Sequence, residues 1–423
     1  MLTVNNPYKQ MSSRKPMKYA HLADLHLGSW REPKMRDLST KAFMMAVDQC
    51  IQEKVDFILF AGDLFNTSLP SLDTLKLVTK RLKEIKDLNI PIYVIAGSHD
   101  FSPSGKTMID VLENAGLLKN VCKGSIDQET KELRLHFTIE EKTGVKLTGL
   151  LGRKGQLDQQ YYETLDRTSL EQEQGYKIFM FHTTVSELLS RDMDKIESQP
   201  LSVFPKTFDY YAGGHIHHPA KVEQPGYKCV TYPGALFPNN FQEVEKYGNG
   251  GYYLITVEDG KQEVTWKPLE VVKHQQFLLQ CNGKSPEVIH YEVSDHFEHV
   301  DVEGAIVTIR LQGSIKGGRV FDINFKEIFE RLYQKGAYFV MKNTAKLQSE
   351  EFEEIKIAQA NPELVEEEII KEHLGQHTAF PAEKELEVTR SLLNFLDTTK
   401  KEGETQTDFQ KRVEDDMEKV LGL

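Results

Sequence analysis

Two potential metal ligands, Asp24 and His26, stand two residues apart in residues 20–28, read Ala-His-Leu-Ala-Asp-Leu-His-Leu-Gly. Along an extended backbone alternate side chains face the same way, so a carboxylate and an imidazole at this spacing can reach one ion. Four further apolar runs end in groups of the same kind. Residues 55–61 lead to Gly62-Asp63, 90–96 to Gly97-Ser98-His99-Asp100, 177–181 to His182, and 208–212 to Gly213-Gly214-His215-Ile216-His217. A lone His or Asp at a strand end is more often a cap or a hydrogen-bond partner than a ligand. The ordered recurrence at five strand ends turns the reading toward a metal centre, and a mixed set of nitrogen and oxygen donors suits Mn²⁺, Fe²⁺ or Zn²⁺ better than Ca²⁺.

The elements between these runs say how the ligands would be positioned. In residues 34–54, Phe43, Val47, Cys50 and Ile51 recur at helical spacing, and in 70–88 Leu75, Val78, Leu82 and Ile85 do the same. Strand, helix, strand, helix, strand predicts a parallel sheet with crossover helices, and such sheets gather ligands at their C-terminal strand ends. Residues 133–138 and 145–150 read as added antiparallel strands, 156–175 as helical, and 226–231 and 251–257 as strands. This gives a sheet-rich α/β domain over residues 17–268. A small α+β domain follows over 269–345, with strands at 271–281, 305–312 and 337–341 and a helix at 323–334 N-capped by Asp322. His21 reads as a core histidine, His218 as a surface neighbour, and His290, His296 and His299 as a solvated loop.

Residues 1–16 are polar and read as a disordered tail, and 346–382 as an acidic linker. Two helical segments, 383–397 and 407–421, close the chain. The second carries Phe409, Val413 and Met417 on one apolar stripe, which reads as a surface for a partner protein. Residues 341–423 hold 11 Lys and Arg against 20 Asp and Glu, so −9 of the net −12 belongs to the tail and −3 to the rest. The acidity therefore does not bar a phosphate-bearing ligand from the N-terminal site, where cations would dominate the field. Four dispersed cysteines without a Cys-x-x-Cys suit a reducing cytoplasm, and no run reaches the ~20 apolar residues of a membrane helix.

In this order the motifs Asp-x-His, Gly-Asp, Gly-Ser-His-Asp, His and Gly-His-x-His resemble the calcineurin-like metallophosphoesterases. Residues 21–28, the Phe-Ala-Gly-Asp-Leu-Phe of 60–65 and the Tyr-Pro-Gly of 232–234 look like the nuclease of the meiotic recombination eleven type, the counterpart of bacterial SbcD. The resemblance, which covers about residues 17–345 closely, implies a sheet sandwich flanked by helices, with an α+β capping domain and a C-terminal helical hairpin. It implies two Mn²⁺ ions per subunit, the first held by Asp24, His26 and His217, the second by His182 and His215, with Asp63 bridging. Two such ions about 3.5 to 4 Å apart hold a hydroxide and neutralise charge when a phosphodiester is attacked. His99 would be the general acid, with Asp100 orienting it.

The implied activity is 3′ to 5′ exonuclease on duplex DNA ends and endonuclease on single strands, in a nucleoid-associated break-repair complex. Its partner would be an SMC-like coiled-coil ATPase of SbcC type. Lys316 and Arg319 flank a Gly-Gly pair that would either meet DNA phosphates or make a plain turn. Leu75 and Val111 are candidates for a homodimer contact, or else pack on the sheet. The rival readings are a small-substrate metallophosphoesterase and a DNA-end scaffold of weakened activity.

One position departs from the family. Asn, whose amide oxygen ligates the second ion, is the usual residue where this chain has Ser98. A serine hydroxyl is shorter and a poorer donor, and Asn66 stands where some relatives have a second active-site His. Ser98→Asn is expected to tighten only the weaker of two Mn²⁺-binding events in a calorimetric titration; two unmoved events would remove position 98 from the metal site.

Overall fold

The computed structural model describes residues 16–102, 105–153, 158–189, 197–349, 382–396, 398–401 and 404–421. Residues 1–15 and most of the acidic linker, 350–381, lie outside the described residues. The chain begins β1 (Met17–Leu22), α1 (Pro33–Gln52), β2 (Phe57–Ala61), α2 (Leu72–Asp87), β3 (Ile92–Ile95), α3 (Met108–Asn114) and β4 (Lys119–Asn120). It continues through β5 (Gly124–Ile126), β6 (Leu133–Leu135), β7 (Thr138–Ile139), β8 (Lys146–Gly149), α4 (Gln159–Glu163), α5 (Arg167–Gln172) and β9 (Lys177–His182). Then come β10 (Tyr210–Gly214), β11 (Ala220–Gln224), β12 (Tyr227–Tyr232), α6 (Phe241–Tyr247), β13 (Gly251–Glu258) and β14 (Lys261–Pro268). After these are β15 (Lys273–Gln280), α7 (Pro286–Glu298), β16 (Ala305–Ile315), α8 (Phe325–Gln334) and β17 (Phe339–Ser349), and last α9 (Ala382–Leu396) and α10 (Gln406–Leu421).

Two six-stranded sheets form the sandwich, ordered β14-β13-β1-β2-β3-β4 and β11-β12-β10-β9-β8-β7. Strands β1 to β4 run parallel, as do β12, β10, β9 and β8. Period-two alternation assigns the faces. Tyr19, Phe57, Leu59, Tyr93 and Ile95 meet Ile178, Met180, Tyr210 and Ala212 between the sheets. Their alternates Ala20, Leu22, Ile58, Phe60 and Val94 pack with Phe43, Val47, Val78, Leu82 and Ile109 of α1 to α3. Phe179, Phe181, Tyr211 and Tyr232 pack on the other outer face with Tyr162 and Phe204. Burial on both faces is why the central strands read as unbroken apolar runs.

His21 lies in the layer between the sheets, fully buried, with Nε2 3.1 Å from the Gly213 carbonyl and Nδ1 2.9 Å from the Tyr210 hydroxyl. Burial pushes it down to about 3, so it is a neutral cross-sheet tie. The expectation that residues 145–150 add an antiparallel strand is corrected. β8 runs parallel to β9, Leu147 opposite Ile178, because α4 and α5 return the chain as a crossover. In this stretch of the chain antiparallel pairing joins β5 with β6 and β7 with β8.

Strands β15, β16 and β17 form a separate sheet, β15 and β16 parallel from Lys273 opposite Ala305 to Gln280 opposite Gln312. Their crossover is α7, so His290 and His296 sit on a helix rather than in a solvated loop. Buried Ile289, Val293 and Phe297 recur at helical spacing along α7, and His296 stacks on Phe277 at 4.2 Å between centroids. Asp322 does not cap α8. Asn324 does, accepting from the Glu327 amide, while Asp322 accepts from the Arg319 amide.

The chain divides into two compact units. The first holds the described residues up to Cys281 together with Glu287–Gln312 and Ile323–Lys346. The second holds Asn282–Pro286, Gly313–Asp322 and the described residues from Leu347 onward. In that unit α9 and α10 lie against each other, and Arg412 reaches both oxygens of Glu404 at 2.8 and 3.0 Å. All four cysteines are free thiols. Among the described residues no helix is long and apolar enough to cross a membrane.

Candidate metal centre

The ligand candidates follow β1, β2, β3, β9 and β10 at the C-terminal ends of parallel strands in both sheets. Backbone bonds carry the β1–β2 pairing into the loops: the amides of Asp24, His26 and Leu27 donate to the carbonyls of Gly62, Asp63 and Leu64 at 3.2, 2.9 and 3.1 Å. Asp24, His26, Asp63 and His215 all take positive φ, at 50°, 42°, 49° and 95°. Left-handed backbone costs a residue with a side chain about 1–3 kcal/mol and persists only where surrounding contacts enforce it.

Asp63 is at the middle. Its Oδ2 lies 3.2 Å from His182 Nε2 and 3.6 Å from His26 Nε2, and its Oδ1 accepts the His99 amide at 2.7 Å. Three groups of donor atoms converge within 4.8 Å: Asp24, His26 and His217; His26, Asp63 and His99; and Asp24, Asp63 and His182. The Nε2 atoms of His26 and His217 are 3.1 Å apart, and Asp24 Oδ1 is 4.0 Å from His217 Nε2. His215 stands outside these groups. The His215 amide donates to both Asp24 oxygens at 2.9 and 3.0 Å, and its ring lies 5.2 Å from that of His182. Ser98, which precedes His99 in the chain, is buried.

Three of the imidazoles, those of His182, His99 and His217, are held at the nitrogen turned away from the centre, which settles their tautomers. His182 Nδ1 donates to the Ala61 carbonyl at 2.9 Å, His99 Nδ1 to the Asn66 carbonyl at 2.8 Å, and His217 Nδ1 to Glu243 Oε1 at 3.0 Å. None of these three acceptors was legible as such: two are backbone groups, and Glu243 is 26 residues from His217. Glu243 does stand three residues after Asn240 in a capping pattern, but that predicts a helix start and not a histidine partner.

The electrostatics ask for a cation. Burial pushes Asp63 up, but His182 and His26 hold its carboxyl well below the usual range. Burial lowers His182, and the Asp63 carboxylate more than reverses this, up to about 10. His26 and His215 are lowered by burial, His215 to about 4. His26 Nδ1 is buried without a hydrogen-bond partner, while His182 Nε2 is turned to Asp63 Oδ2 at 3.2 Å. Buried nitrogens facing each other and shared carboxylates fit a pair of divalent ions with mixed N/O shells.

Two glycines make room. A Cβ on Gly62, whose φ is +90°, would stand 2.1 Å from His182 Nδ1, and one on Gly97 would stand 2.3 Å from Asp63 Oδ1. Gly97 precedes Ser98 and His99, so their loop turns directly over the Asp63 carboxylate.

The Asp100 carboxylate faces loop amides and makes no hydrogen bond to the His99 ring. Buried, it accepts from the amides of Gly97, Leu64 and Phe65 at 2.9, 3.3 and 3.2 Å, stapling the β2 loop to the β3 loop. Burial and the charge of Asp63 raise it, and the amide donors pull it back. Asn66, in place of a second histidine, serves His99 through its backbone carbonyl.

The remaining candidates belong to other elements of the chain. Lys316 and Arg319 are exposed, Lys316 donating its amide to the Lys284 carbonyl and Arg319 lying 4.5 Å over the Phe321 ring. Val111 is 56% exposed on α3, while Leu75 of α2 packs partly buried against the helix-side core. Phe409, Val413 and Met417 are half-buried on α10.

Asp100→Asn puts an amide NH₂ where three backbone donors converge, and a buried mismatch of this kind costs about 1–3 kcal/mol. Both a lower midpoint in urea unfolding and weaker Mn²⁺ binding are expected; a variant slowed in turnover alone would return Asp100 to the orienting role.

Residues 17–219 match the calcineurin-like phosphoesterase family. The DNA double-strand break repair protein Mre11 of Archaeoglobus fulgidus is 24% identical over 431 residues, 96% of this chain and 95% of its own length. The protein of the same name from Methanococcus maripaludis is 29% identical over 248 residues, 56% of this chain and 62% of its own. A dimetal phosphatase from Danio rerio is a structural neighbour at a TM-score of 0.41 and 12% identity, covering 60% of this chain and 97% of that chain. The chain is thus similar to the calcineurin-like phosphoesterases over residues 17–219 and to a protein named Mre11 through nearly its whole length.

Proposed function

We propose that this chain is a Mn²⁺-dependent DNA nuclease that processes double-strand breaks, a 3′ to 5′ exonuclease on duplex ends and an endonuclease on single strands. The observation that carries the reading is the Asp63 carboxylate, shared between His26 at 3.6 Å and His182 at 3.2 Å from two different sheets. Similarity over 96% of the chain to a protein named for double-strand break repair supports DNA as the substrate. In this reading Asp24, His26 and His217 hold one ion, His182 and His215 with Ser98 the other, and Asp63 both. The ions supply Lewis-acid stabilisation and lower the pKa of water. His99 is the proton donor to the leaving oxygen, its Nδ1 fixed on the Asn66 carbonyl so that Nε2 handles the proton.

The same reading gives the stripe Phe409, Val413 and Met417 to an SMC-like coiled-coil ATPase, since an acidic tail suits a protein contact better than a DNA contact. It pairs two copies of the chain through the helix carrying exposed Val111, and leaves Lys316 and Arg319 as candidates for DNA phosphates.

The test compares Mn²⁺-dependent cleavage of duplex DNA with that of bis(4-nitrophenyl) phosphate. DNA cleavage that disappears in Asp63→Ala is expected. His99→Ala is expected to slow cleavage by about 10²- to 10⁴-fold with Mn²⁺ binding retained. Cleavage of the small ester alone would make the chain a small-substrate phosphodiesterase, and cleavage of neither would leave an end-binding scaffold.

A further inference from the structure

Helix α6 joins the three-stranded sheet to the metal centre. At its third residue, Glu243 takes the His217 Nδ1 proton on Oε1 at 3.0 Å. The same carboxylate accepts the Asn239 amide at 2.8 Å and the Asn240 side-chain amide at 2.6 Å, so it is held from three sides. His218, the next residue after His217, stacks on Tyr247 at the other end of α6, ring centroids 5.5 Å apart. His217 and His218 therefore both rest on this one helix.

Residues two apart on a helix point to opposite sides. Glu245 accordingly turns away from Glu243 and receives Arg310 Nε at 2.7 and 2.8 Å on its two oxygens. Arg310 belongs to β16, and its guanidinium also covers the Phe241 ring at 5.3 Å. The pair is nearly sealed from water, with side chains 13% and 11% exposed, where a bidentate ion pair holds geometry far better than an exposed one. A helix of seven residues, too short to be stiffly placed by its own hydrogen bonds, is thus gripped by β16 on one side and grips His217 on the other.

We propose that α6 is a positioning element: Arg310 of β16, acting through Glu245, sets where Glu243 holds His217, and so tunes the affinity of one of the two metal positions from the three-stranded sheet. The chemistry lies in the tautomer. With Nδ1–H committed to Glu243, the Nε2 lone pair faces Asp24 and His26; without that acceptor the ring is free to turn or to exchange tautomers. Any ligand that shifts β16 would then alter metal occupancy without touching a metal ligand. The inference rests on His217 being a ligand, as in the proposed function.

Mn²⁺ titration of the full chain by calorimetry, with melting followed by circular dichroism, tests it. Wild type is expected to show two binding events. Glu243→Ala should weaken one of them by about 10- to 100-fold and leave the other, with partial recovery in Glu243→Gln, which keeps an acceptor. Arg310→Leu, which keeps apolar bulk over Phe241, should weaken the same event by about 2- to 30-fold. The double variant Glu243→Ala/Arg310→Leu should bind no more weakly than Glu243→Ala, because both act through one contact. If Arg310→Leu melts early, Glu245→Gln carries the measurement. Wild-type affinity at both events in the Arg310 and Glu245 variants, or full additivity in the double variant, overturns the inference alone. A wild-type chain that binds no Mn²⁺ overturns the metal reading and this inference with it.

Discussion

A carboxylate can leave water only if positive charge or strong donors meet it, and Asp63 is almost wholly buried. Its compensation comes from three directions: His26 on the loop after the neighbouring strand, His182 at the end of a strand in the other sheet, and the backbone amide of His99. Meeting that requirement brings the C-terminal edges of two sheets within hydrogen-bond distance of one another. The layer of Tyr19, Phe57, Leu59, Met180 and Tyr210 sets the separation, and Gly62 removes the side chain that would hold the edges apart at His182. Sandwich packing and site chemistry are here one constraint, because a shift of the sheets would strand a buried charge.

The same constraint accounts for the left-handed backbone at Asp24, His26, Asp63 and His215. These residues bend sharply out of their strands so that side chains from five strand ends face one point, and each bend is strained. The surroundings that enforce it are visible: loop amides continue the β1–β2 pairing, Asp100 staples two loops through three amides, and each of three imidazoles is pinned at the nitrogen turned away from the centre. Such second contacts convert a cluster of suitable residues into donors of fixed direction, which divalent ions require.

Much of this was legible in the chain. Apolar runs buried on both faces announce central parallel strands, and polar residues at their C-terminal ends announce the site, since in parallel sheets those ends collect at one edge. So Asp24, His26, Asp63, His99, His182 and His217 could be named together, and the structure brings their side chains together. Where the reading slipped, the competing signal was local. Residues 145–150 are a short run whose direction depends on the crossover that follows, and α7 hides its Ile289, Val293 and Phe297 stripe among polar residues after a proline. Asp322 and Asn324 are both good caps, and only the backbone path decides between them.

What the sequence by itself determined is which residues lie at the strand ends, in which order, and with what donor chemistry, because side-chain periodicity and residue type are properties of the local chain. What only the tertiary structure decided is who faces whom. Asp100 turning to loop amides, the Asn66 carbonyl taking His99, and Glu243 reaching His217 are choices among several chemically equal partners. Asp24 and the His215 amide meet across 191 residues of chain, a separation over which no periodicity carries information. Their distance is set by how closely two sheets pack, and that closeness follows from the shared need to bury one carboxylate among imidazoles.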